Sequence, residues 1–112
     1  MIKDFSDANL AIFAMARGTD GEYSFTPTLP DGSTFVWSDY TVVCEGRLAI
    51  KSETPDFMFP TSWEFDEFGL IDILFPKTMI TNSIREQKVY WRVLATKAGK
   101  TILLKQGEAW LK

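Results

Sequence analysis

The chain has 112 residues, of which 46% are apolar, 24% charged and 14% aromatic, with a formal net charge of −3. Length and composition suit one globular domain over residues 1–112 and argue against disorder. Nine Phe and four Trp can build a core without metal or disulfide. The absence of histidine excludes Ser-His-Asp, Cys-His and His-bearing zinc chemistry.

Residues 6–17 read as a short helix. Ser6 suits an N-cap, and Asp7 sits in the first turn, where the helix dipole favours a carboxylate. Phe5 and Leu10 take the two positions of a hydrophobic staple, and Gly18 follows Arg17 as a stop. Residues 10–16 are apolar all round, so such a helix has more than one face to bury. A strand is the alternative for this run. The acidic start and the short apolar stretch match neither a secretory signal nor a membrane span. The default expectation is a cytoplasmic protein with no membrane partner.

From residue 22 to residue 105 the pattern is that of an antiparallel β-meander. Residues 22–29 alternate, with Tyr23 and Phe25 on one side. Pro30-Asp31-Gly32 marks a turn, and residues 34–37 can return as a hairpin partner. Residues 40–51 form a longer strand in which Gly46 suggests a bulge or bend. Cys44 lies in this apolar run beside Glu45 and reads as a small, inert core residue. Residues 52–62 read as a loop whose tip, Phe57-Met58-Phe59, either caps the core or serves recognition.

Residues 63–66 alternate, 66–69 can turn the chain, and 70–75 form an apolar strand ending at Pro76. Residues 77–87 are an irregular polar connection. Residues 88–96 alternate strongly, 97–100 make a hairpin turn, and 101–105 return. Residues 106–112 read as a tail. The expected fold is therefore mainly β, a small barrel or sandwich with one short N-terminal helix. A capped helix followed by β-strands is shared by several unrelated groups, small lipocalin-like barrels and phage head–tail connector or tail proteins among them. No specific motif ties the chain to either, and no functional residue is carried over.

Phosphate-binding glycine loops are absent, and no metal or cofactor is expected. Glu64 and Asp66 share one face of a strand, which reads as a solvated exterior rather than a hydrolytic pair. The chain is not expected to be an enzyme.

The unusual feature is charge placement. Residues 1–76 hold four basic and 13 acidic residues, a balance of −9, whereas residues 77–112 hold eight basic and two acidic, a balance of +6. Either cross-strand pairs neutralise the two halves, or the signs stay apart and steer a partner. A third reading is single-stranded nucleic acid held on the face of Lys88, Tyr90 and Arg92. The acidic pI of about 4.9 weighs against that reading. The leading expectation is a non-catalytic protein-binding or assembly module that self-associates or binds a protein partner. Its candidate residues are Phe57, Met58, Phe59, Lys88, Tyr90 and Arg92. A carrier of small apolar ligands with a lipocalin-like barrel is the alternative.

Overall fold

A computed structural model describes residues 10–49, 51, 53–64, 69–81 and 84–112. Among these residues eight strands run β1 (Leu10–Met15), β2 (Gly21–Phe25), β3 (Thr41–Arg47), β4 (Phe57–Phe59), β5 (Thr61–Glu64), β6 (Leu70–Phe75), β7 (Lys88–Lys97) and β8 (Lys100–Leu111). They form a five-stranded sheet, β1-β8-β7-β3-β4, and a three-stranded sheet, β2-β6-β5. Every pairing is antiparallel except β1 with β8, which is parallel.

Buried residues of both sheets join one core. The small sheet supplies Phe25, Ile71, Ile73 and Phe75, and the large sheet supplies Met15, Phe59, Val89, Trp91 and Val93 among others. Rings meet between the sheets: Phe13 stacks on Tyr23 at 5.6 Å between centroids, and Phe75 lies 4.6 Å from Phe59 and 6.1 Å from Trp91. No strand pairing links one sheet to the other, so the described strands do not close into a barrel.

Several expectations change. The helix expected over 6–17 is not formed where it is described, because Leu10–Met15 is a strand. Ser6, Asp7 and Phe5 lie outside the described residues. The physical reason is the segment read as a tail. Residues Gln106–Leu111 are the second half of β8, and they supply β1 with a complete parallel ladder from Leu10↔Gln106 to Met15↔Leu111. Burial in β1 then alternates, with Phe13 and Met15 turned inward, as period-2 geometry requires. Gly107 permits this approach. A Cβ there would fall 1.8 Å from the Ala11 carbonyl oxygen and 2.7 Å from Trp91 Cζ2.

The strands are not a meander either, since β2 pairs with β6 and β3 with β7 across long stretches of chain. The return at 34–37 reduces to a single Thr28↔Thr34 bridge followed by a 3-10 turn at Trp37–Asp39. Gly46 marks no bulge. The β3–β7 register is unbroken through it, and the space it leaves is filled by the Phe59 ring, whose Cε2 lies 2.4 Å from where a Cβ would stand. The irregularity instead falls in the β7–β8 hairpin between Val93 and Leu94.

The β7–β8 turn at Ala98-Gly99 has φ of 51° and 80°, the paired left-handed conformation of a two-residue hairpin turn. Strand β6 coincides with the expected 70–75 segment. Arg17 ties the irregular connection to the core, its guanidinium donating to the carbonyls of Ile84 and, at 2.8 Å, Glu86. Among the described residues no helix is long and apolar enough to cross a membrane.

Candidate functional site

The antiparallel register lays the outer face of the large sheet out in rows. One row runs from edge to edge: Leu10, Gln106, Arg92, Glu45, Met58. The next is Ile12, Glu108, Tyr90, Arg47, and the third is Ala14, Trp110, Lys88. The expected residues Lys88, Tyr90, Arg92 and Met58 thus share one face. Phe57 and Phe59 do not join them. Alternation in β4 turns both rings inward, where they stack at 5.4 Å and Phe59 is buried. The segment 57–59, expected as a loop tip that either caps the core or serves recognition, is therefore an edge strand that turns its two phenylalanines to the core and leaves Met58 outside.

Two ionic clusters hold this face. Glu45 is only 8% exposed, and its Oε1 accepts from Arg92 Nη2 at 2.6 Å, Arg92 Nε at 2.9 Å and Arg47 Nη2 at 3.1 Å. Burial by itself pushes the Glu45 carboxyl up. The hydrogen bonds from Arg92 and Arg47, with their charges, outweigh burial and hold it below the usual carboxylate range.

In the second cluster Lys88 Nζ lies 4.7 Å from the Trp110 ring centroid and 5.0 Å from that of Tyr90. It also pairs with Glu108 Oε2 at 3.5 Å, while Trp110 Nε1 donates to Glu108 Oε1 at 3.1 Å. A hydrogen bond donated to Tyr90 and the charge of Glu108 raise the lysine above its ordinary value despite partial desolvation. Between the clusters lies a cleft of about 350 Å³ bordered by Leu10, Arg92, Tyr90, Gln106 and Glu108.

The apolar part of the face belongs to β1 and β8. Ile12 is 58% exposed and Trp110 37%, with Leu10 also exposed, whereas Met58, 51% exposed, stands at the opposite edge on β4. Leu10, Ile12 and Trp110 were absent from the expected set. The signal was present in the strict alternation of Gln106, Glu108 and Trp110 with the inward Gly107, Ala109 and Leu111.

The outer face of the small sheet is acidic. Asp72 accepts from Ser24 Oγ at 2.6 Å, and Glu22 and Glu64 flank it. The Glu22 carboxyl is raised by a hydrogen bond with Asp72, then by the charge of Asp72, some burial and the charge of Glu64. Asp66, the other half of the expected carboxylate pair, lies outside the described residues. No group of three or more metal-ligating side chains occurs among those described.

Ion pairs between the two halves neutralise part of the charge segregation, Arg92 with Glu45 across neighbouring strands and, at 3.7 Å, Lys97 with Asp39 of the 3-10 turn. No protein-family model and no curated protein sequence matches the chain.

Proposed function

We propose that this protein is a non-catalytic binding or assembly module, built as an open sandwich, whose partner surface is the outer face of its large sheet. The observation that carries the reading is the contiguity of exposed Leu10, Ile12 and Trp110 with Lys88, Tyr90 and Arg92 on that face. An apolar patch rimmed by charged groups is the usual anatomy of a protein interface. Aromatic and arginine side chains are its commonest anchors. Among the described strands β1 is also a sheet edge, with a partner strand on one side only.

The other readings have less support. A single strand of nucleic acid would need net positive charge, yet Lys88 and Arg92 face Glu108 and Glu45. An interior carrier would need a closed, roomy barrel, whereas the described strands leave two open sheets with aromatic rings packed between them.

The test is site-specific photo-crosslinking in the cell of origin. A crosslinker at position 12 or 58 should give a discrete protein adduct, to a second copy or to another protein. That adduct should be lost on Trp110→Ala or Arg92→Glu. The same crosslinker at position 74 on the small sheet serves as control. An outer-face pattern no different from that control would sink the proposal.

A further inference from the structure

A second cleft, of about 690 Å³, opens between residues 26–38 and β5. It shares no residue with the partner face, and its size falls within the roughly 300–1,000 Å³ of small-molecule sites. Trp37 and Trp63 lie in its wall, stacked at 5.6 Å with ring planes 20° apart. Their position is held from behind. Phe35 is buried, stacks on Tyr40 at 4.9 Å and tilts against Trp63 at 5.9 Å. Gly69 lets the Trp63 ring lie against the backbone, since a Cβ there would come within 1.7 Å of Trp63 Cζ2. Around the indoles stand the exposed hydroxyl-bearing residues Thr26, Thr28, Thr34 and Ser38.

Among the described residues that line it none carries a charge, in contrast to the first cleft with its arginines and glutamates. An ionic ligand entering here would lose water without meeting a counter-charge. A wholly apolar one would strip water from the hydroxyls and return no hydrogen bond. A pyranose ring has the matching chemistry. Its C–H face lies flat on an indole, and its rim hydroxyls both donate and accept, as Thr and Ser do. A proline-rich peptide, the other ligand that aromatic grooves take, offers mainly carbonyl acceptors and uses only the donor half of those hydroxyls. We infer that this cleft binds a neutral oligosaccharide, seated on Trp37 and Trp63 and hydrogen-bonded by the surrounding threonines and serines.

The experiment titrates the full chain with maltohexaose, cellohexaose, xylohexaose and chitohexaose, following each indole N–H by NMR. At least one sugar at millimolar concentration should shift the Trp37 and Trp63 signals and leave Trp91 and Trp110 in place. Trp37→Ala should weaken that binding by about tenfold or more. The double change Thr28→Val with Thr34→Val, at exposed positions that leave the ring stack intact, should weaken it several-fold if Trp37→Ala does not fold. Silence from all four sugars would overturn the inference. So would shifts with a proline-rich decapeptide in their absence, or a Kd untouched by the threonine changes.

Discussion

At the scale of single residues, Glu45 carries the sharpest expectation. Its carboxylate is nearly buried yet held below its ordinary range by two arginines. The folded state therefore prefers the charged form more than the unfolded chain does. That preference stabilises the protein fully above the unfolded value of about 4.5 and is lost as pH falls through the lower folded value. Glu45→Gln should cost about 1–3 kcal/mol near neutral pH, the range for charge-assisted hydrogen bonds. The gap between variant and native protein should close below the ordinary carboxylate range. Urea unfolding at pH 7 and pH 3 checks this, and a gap of equal size at both would refute it. Glu22 acts in the opposite sense, because its carboxyl is raised first by a hydrogen bond with Asp72 and then by the charges of Asp72 and Glu64, so the folded state favours its protonated form. Composition and alternation made the charged face of β7 legible. They could not reveal that Arg92 meets Glu45, since that pair depends on the β3–β7 register.

Among the elements, β1 and β8 hold each other in place. An apolar, alanine-rich run has good local helix propensity. It becomes a strand here because the far end of the chain offers a ladder and a buried groove for Phe13 and Met15. Local propensity is a weak prior against such pairing. Gly107 is where this can be tested. Gly107→Ala would drive a methyl into the Ala11 carbonyl and the Trp91 ring, and neither can move without shifting a strand. The expected cost is about 1–3 kcal/mol, typical of overpacking, and amide exchange should accelerate along residues 10–15 first. An unchanged denaturation midpoint would mean that β1 does not dock on β8. The hairpin elements behave differently. Turn residues are local, so Ala98-Gly99 and Pro30-Asp31-Gly32 announced themselves, as did the uninterrupted apolar β6. Phe57–Phe59 was misjudged because its flanking prolines signal a loop. An edge strand tolerates proline beside it, and among the described strands this one has a partner on one side alone.

For the whole molecule, the shared core makes Cys44 a reporter of global unfolding. It is fully buried beneath both sheets' side chains. Burial, with the Glu45 charge a lesser cause, pushes its thiol far above the ordinary cysteine range. A thiol reagent should modify the native protein at least about 10³-fold more slowly than the unfolded chain, with a denaturant dependence matching global unfolding. Rapid native labelling would mean that the two sheets separate locally. The sequence by itself determined the mainly β character of the chain, the hairpin turn at Ala98-Gly99, the apolar setting of Cys44 and the exclusion of chemistry that needs histidine. Each of these follows from composition or from neighbours within a few positions. Only the tertiary structure decided that β1 is a strand, that the tail is the second half of β8, and that Phe57 and Phe59 turn inward. It alone gathered Leu10, Ile12 and Trp110 beside Lys88, Tyr90 and Arg92, and brought Trp37 against Trp63. Those outcomes rest on pairing and packing between segments far apart in the chain, where backbone hydrogen bonds and buried surface override what any local stretch prefers.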